Sequence, residues 1–228
     1  MSKIYVPASS PDDWRGLLAK PEHWRTGYSA RAMANCWQTA DGFPSEIAAL
    51  FSSSGIGAFS QVELLLAIPE HQVPLPPYDG HPSQNDVFAL GKASDGSLVS
   101  IAVEGKVSED FGKTVGQWMT PSTPGKAERL AFLQQRLGVV QTIPPETRYQ
   151  LLHRLASALL EAERFNAKYA IMIVHSFSQT DEWFGDFQAF LSLFGANTQV
   201  GRLVHLTDRG SVSLYSGWAQ GDVRFLSA

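Results

Sequence analysis

Three residues have the types and spacing for phosphodiester chemistry: Asp86, Glu104 and Lys106. Glu104-Gly105-Lys106 is the only acid-x-Lys triplet in the 228 residues. Two carboxylates at the end of a β-hairpin suit a hard cation such as Mg²⁺, with Mn²⁺ as a substitute, because such ions take oxygen ligands and keep waters that phosphate oxygens can replace. Gly105 has no side chain, so its backbone can approach a metal closely and its carbonyl could be a further ligand. Lys106 would stand near the attacking water, where a cation stabilises hydroxide or the charge developing on phosphorus. The same three residues could instead form a structural salt bridge at a sheet edge, with Asp86 capping the loop after Pro82.

Strand register decides between these readings, since a shift of one residue sends a side chain to the opposite face. Ser94-Asp95-Gly96 carries a hairpin signal. As a three-residue loop with Gly96 left-handed, it sets Ala93 opposite Ser97 and Asp86 opposite Glu104, with Lys106 on the same face. Val87, Ala89, Val99, Ile101 and Val103 then form an apolar set on the other face. A two-residue Asp95-Gly96 loop would oppose Asp86 to Gly105 and turn it away from Glu104. The three-residue loop is preferred, because it separates the apolar set from a polar end.

The elements around the hairpin follow from periodicity. Helices are predicted over residues 29–39, 44–51 and 60–67, then a short edge strand at 73–75 and a Pro, Gly and Asp loop over 78–83. The hairpin strands cover 86–90 and 98–107. Two long helices follow at 126–137 and 147–165, the second with Leu151, Leu152, Leu155, Leu159 and Leu160 as a buried stripe. Residues 169–174 are nearly all apolar, as in a strand covered on both faces. A helix near 182–194 and strands near 203–206 and 212–215 complete the chain. This order predicts an α/β (α+β) domain, a mixed sheet flanked by helices, with a helical part over about 1–67 and a core over about 68–228.

Composition permits this and removes other classes. With 44% hydrophobic and 18% charged residues, the chain can bury a core as one domain. No apolar stretch reaches the ~18 residues of a membrane span. The first residues lack the basic-then-apolar pattern of a secretory leader, so a cytoplasmic location is expected. A single cysteine, Cys36, excludes an internal disulfide and reads as core. The net charge of −4 argues against a strong non-specific DNA binder, although a cation in an acidic site would offset it. Gly112-Lys113-Thr114 fails as a P-loop because position 107 is Val107. No G-x-S-x-G, H-E-x-x-H or G-x-G-x-x-G pattern is present. His175 reads as a strand-end core histidine, although Val174-His175-Ser176 could line the same cleft, and the scattered tryptophans, Trp118 among them, could stack bases but read as packing residues.

Through Asn85-Asp86 and Glu104-Gly105-Lys106 the chain resembles the PD-(D/E)xK, restriction-endonuclease-like superfamily. More widely, Trp24-Arg25-Thr26-Gly27-Tyr28-Ser29-Ala30, Ser83-Gln84-Asn85-Asp86, Val103-Glu104-Gly105-Lys106 and Arg148-Tyr149-Gln150-Leu151-Leu152-His153-Arg154 look like an uncharacterised bacterial domain family associated with that core. The resemblance implies an αβββαβ core, Mg²⁺ held by Asp86 and Glu104, and Lys106 as the catalytic lysine. It also implies another acid on the first core helix, for which Glu63 is the candidate and Glu46 its competitor. A polar residue on the helix after the acid-x-Lys strand is implied as well, with Gln150 the candidate. The function so implied is cleavage of nucleic acid, DNA before RNA. An inactive nuclease-like domain binding nucleic acid or a partner protein is the alternative, and a homodimer is plausible because two-fold pairing of sites serves enzymes that cut both strands.

Overall fold

The computed structural model describes residue 4 and residues 8–18, 21–78 and 80–227. Residues 1–7, read above for a leader pattern, lie outside the described residues apart from Ile4, as does Asp79 of the expected 78–83 loop. Among the described residues no helix is long and apolar enough to cross a membrane.

The order of elements is α1 (Ser29–Thr39), α2 (Ser45–Ser52), β1 (Glu63–Val73), β2 (Ser83–Lys92), β3 (Leu98–Lys106), α3 (Val115–Trp118), α4 (Pro124–Leu137), α5 (Tyr149–Arg164), β4 (Tyr169–Ser176), α6 (Phe184–Leu191), β5 (Leu203–Arg209) and β6 (Val212–Gln220). The strands form one mixed sheet in the order β1-β2-β3-β4-β6-β5. β1, β2 and β3 make an antiparallel meander. β4 lies parallel to β3, and β6 parallel to β4, with β5 antiparallel at the far edge. A parallel neighbour needs a crossover, and the α3–α5 stretch supplies the one between β3 and β4.

Alternation in the central strands divides the core into two layers. Ala102, Ala170, Met172 and Val174 face α4, α5 and α6, where Leu151, Leu152, Leu155 and Leu159 are wholly buried. Val87, Ala89, Val99, Ile101 and Val103, the apolar set predicted from the hairpin, face α1 and α2. All eight residues of β4 are buried, as a strand covered on both faces requires. Each such aliphatic side chain contributes ~1.5–3 kcal/mol relative to exposure.

The helix predicted over 60–67 is a correction: these residues enter β1, whose partner residues on β2 run from Lys92 back to Ser83. Leu64, Leu65 and Leu66 favour a helix intrinsically, but pairing overrides that preference, and Pro69 cannot extend a helix. Pro69 is tolerated because β1 is the sheet edge. The expected edge strand at 73–75 is the tail of this longer strand, which ends at Val73. Strand structure thus begins at Glu63, ahead of the expected boundary near residue 67.

Candidate active site

The hairpin closes as the three-residue loop. Ala93 N–H donates to Ser97 O and Gly96 N–H to Ala93 O, both at 2.9 Å. Gly96 has a φ of 84°, the left-handed value that a Cβ would penalise. The register runs from Lys92↔Leu98 to Val87↔Val103, and one further step would set Asp86 opposite Glu104. There the regular pairing stops, and the Asp86 carboxylate itself takes the Gly105 N–H, with Oδ2 at 2.7 Å. At Gly105 a Cβ would stand 2.6 Å from Met33 Cγ and 3.2 Å from Asp86 Oδ2, so only glycine lets the carboxylate and α1 close in together.

Glu104 is held from two sides. Lys106 Nζ donates to its Oε1 at 2.6 Å and Arg154 Nε, from α5, to its Oε2 at 2.5 Å. Arg154 Nη1 also donates to Ser83 Oγ at 3.1 Å, and that oxygen lies 2.8 Å from His153 Nδ1. Burial pushes the Glu104 carboxyl up, but Arg154 and Lys106 outweigh it and hold the group below its ordinary range. Burial first, then the charges of Arg154, Arg129 and Lys106, hold His153 well below the usual histidine range and keep it neutral.

A third acid, missed in the sequence, completes the group. Glu70 lies between the pairs Pro69↔Val87 and His71↔Asn85, with a φ of 54°. This left-handed conformation costs a non-glycine residue ~1–3 kcal/mol, the kind of strain that collects at functional sites. Its carboxylate accepts from Gln84 Nε2 at 2.6 Å. Burial, then the charge of Asp86, pushes Glu70 up to about 8. Burial, then the charge of Glu104, pushes Asp86 up to about 7. Pro69, which forbids a helix, was the signal for a strand that sets residue 70 opposite Asp86.

Glu70, Asp86, Glu104, Gly105, Lys106 and Gln150 line one cavity of about 740 Å³. Gln150 thus reaches the expected place, on the first turn of α5. Glu63 does not. It pairs with Lys92 at the opposite end of β2, about 20 Å from Asp86 at ~3.3 Å per residue.

One family profile, described as Domain of unknown function (DUF6946), matches residues 7–223. The chain belongs to the DUF6946 family. No curated protein matches it, and no solved structure does.

Glu46, the competitor of Glu63, lies with His175 on the other face of the sheet. Its Oε1 is 2.8 Å from His175 Nε2 and 3.4 Å from Cys36 Sγ. The ligand atoms of Cys36, Glu46 and His175 all fall within 4.8 Å of one another, a spacing that could hold a metal ion. Proton placement favours a hydrogen-bonded cluster instead. Trp37 Nε1, a donor only, points at His175 Nδ1 at 3.3 Å, which puts the histidine proton on Nε2 and directs it at Glu46. Burial, then the charge of Glu46, pushes the Cys36 thiol above its ordinary range, so it stays protonated and donates. Burial raises the Glu46 carboxyl, but the His175 bond brings it down to about 2. The cluster cross-links α1, α2 and β4 of the DUF6946 domain.

The acidic group facing the large cavity has a different chemistry, and its three carboxylates are not gathered within 4.8 Å of one another as the Cys36, Glu46 and His175 atoms are. It offers only oxygen donors, and two of its carboxyls are raised by burial and mutual repulsion, which a divalent cation would relieve. Both Glu104 oxygens already accept one donor, yet each keeps a second lone-pair direction. A site of one or two carboxylates plus waters is the kind that Mg²⁺ occupies.

Proposed function

We propose that this DUF6946 domain is a metal-dependent phosphodiesterase of the PD-(D/E)xK type that hydrolyses nucleic acid. One observation carries the reading: just past the last β2–β3 pair, Val87↔Val103, the Asp86 carboxylate takes the Gly105 N–H, between Glu104 and the Lys106 that donates to it. Two helices, three antiparallel strands, three helices and a strand parallel to β3 follow one another, an order that can contain the αβββαβ core that the resemblance implies. Asp86 and Glu104, helped by the Gly105 carbonyl, would hold Mg²⁺, which when bound polarises the phosphate and lowers the pKa of a coordinated water.

The chain's own residues do the rest. Lys106 Nζ, 2.6 Å from Glu104, would support hydroxide or the developing negative charge. Arg154 locks the Glu104 carboxylate in one orientation. Gln150, at the cavity wall, is placed to orient a water or a phosphate oxygen. Glu70, raised to about 8, carries a proton near neutrality and is the group beside Asp86 able to hand one on.

A second reading, a non-catalytic domain that binds nucleic acid or a partner protein, is favoured by the full pairing of Glu104 with Lys106 and Arg154. Calorimetric titration of Mn²⁺ into the protein, Asp86→Asn and Glu104→Gln separates the two. Binding lost in both variants, with metal-dependent cleavage of DNA or RNA in the unsubstituted protein, supports the phosphodiesterase. No heat at millimolar Mn²⁺ and no cleavage would leave the binding domain.

A further inference from the structure

Beside the cavity that holds the acids lies a second one of about 380 Å³, and Trp118, Tyr149 and His153 line both. Trp118 and Tyr149 are stacked, ring centres 3.9 Å apart and planes 9° from parallel. The opposite side is the apolar loop that carries Leu75, Pro77 and Pro82. Arg129 of α4 builds that loop into a wall. Its guanidinium donates to the carbonyls of Leu75, Pro76, Pro77 and His81. Gly80 allows the close approach, since a Cβ there would lie 2.8 Å from Arg129 Nη2.

We propose that the substrate is nucleic acid with an unpaired nucleotide beside the scissile phosphate, its base lodged in the second cavity against Trp118, which Tyr149 backs from behind. This rests on the phosphodiesterase reading and narrows it. Depth is the first argument. Glu104 is 2% and Lys106 5% exposed, so the phosphate must descend below the surface to reach them. A duplex keeps its phosphates on a stiff cylinder and its bases stacked inside, whereas an unpaired strand can bend in and turn a base aside.

Charge is the second argument. Of the lysines and arginines lining the two cavities, Lys106 and Arg154 are committed to Glu104 and Arg129 to four carbonyls. Lys113 and Lys126 remain, and Lys126 Nζ already donates to Pro121 O at 2.7 Å. Two lysines on a chain of net charge −4 fall well short of the ~6–10 phosphate contacts of a strong duplex binder. Affinity must then come from contact with a base. An aromatic wall beside an apolar cavity supplies it, as in proteins that hold single strands by stacking. Lys126 Nζ, 5.9 Å from the Trp118 ring centre, is placed to meet the flanking phosphate.

The test is fluorescence anisotropy of a labelled short oligonucleotide, single-stranded and as a duplex of the same sequence, in Ca²⁺ to supply a hard cation. The single strand should bind at least about tenfold more tightly than the duplex. Trp118→Ala should remove roughly tenfold of that, the factor of one lost stack, and Trp118→Phe should keep most of it. Circular dichroism checks that the variants are folded. Equal or tighter duplex binding, no binding of either form, or a folded Trp118→Ala variant with undiminished affinity overturns the proposal. Mn²⁺ calorimetry and cleavage keep the two claims apart. Metal-dependent cleavage of duplex alone would remove this inference and spare the phosphodiesterase, while absent Mn²⁺ binding with absent cleavage would remove both.

Discussion

Replacing Asp86 by Asn should make the protein more stable at pH 8 and, on the phosphodiesterase reading, abolish binding of a divalent cation. Burial, then repulsion by Glu104, moves the Asp86 carboxyl from 3.8 up to about 7, against the pull of Arg154 and Lys106. The folded protein therefore holds this proton more tightly than the unfolded chain. Its stabilising effect is complete below about pH 4 and is lost as pH rises through about 7. A shift of about three units at ~1.36 kcal/mol each sets an upper limit of about 4 kcal/mol at pH 8. Asp86 is partly exposed, so solvent screens some of this, and ~1–3 kcal/mol is the expected gain. The asparagine oxygen can still accept the Gly105 N–H, so that bond is kept. At ~2–4 °C per kcal/mol for a chain of this size, the variant should melt roughly 3–10 °C higher at pH 8.

Thermal unfolding followed by circular dichroism at pH 8 and pH 4 measures the effect, and the two proteins should converge at pH 4. Millimolar Mn²⁺ should raise the melting temperature of the unsubstituted protein and leave the variant unmoved. With the Asp86 charge gone, Glu70 should titrate below its present value of about 8. A variant less stable than its parent at pH 8, by the same margin at pH 4, would refute the account, because burial and repulsion would then not be what Asp86 experiences.

Lys106→Ala should lower cleavage by ~10²–10³-fold, the scale of one lost charge-stabilising group, with an unchanged circular dichroism spectrum; undiminished turnover would sink the role given to Lys106. Glu104→Gln should lower stability by ~3–5 kcal/mol in a urea titration, since Lys106 and Arg154 would be left buried and unpaired; an unchanged midpoint would show that water reaches them. Cys36, 3% exposed and held protonated, should resist a thiol reagent in the native protein and react fully in denaturant; rapid native labelling would contradict the hydrogen-bonded cluster with Glu46 and His175.

How much of this was legible in the sequence differs from element to element, for physical reasons. The hairpin could be read because its turn chemistry is local: Gly96 in a three-residue loop sets the register, and the register sets Asp86 against Glu104. The long helix after it could be read because its leucine stripe repeats along Tyr149–Arg164, which brings Gln150 to the cavity. β1 could not, because Leu64, Leu65 and Leu66 satisfy a helical pattern as well as a strand, and the deciding partner, β2, lies some twenty residues away along the chain. Misreading β1 hid Glu70 and promoted Glu63, which the strand carries to the wrong end of the sheet. Trp118 could be named as able to stack bases but not told from packing, because its stack on Tyr149 exists only once the α3–α5 crossover folds one over the other. Both residues bear on the cavity through contacts between distant segments. Glu70 reaches the acids only in a strained left-handed conformation that pairing on either side enforces, so the third carboxylate of this site is a product of the sheet and not of any local motif.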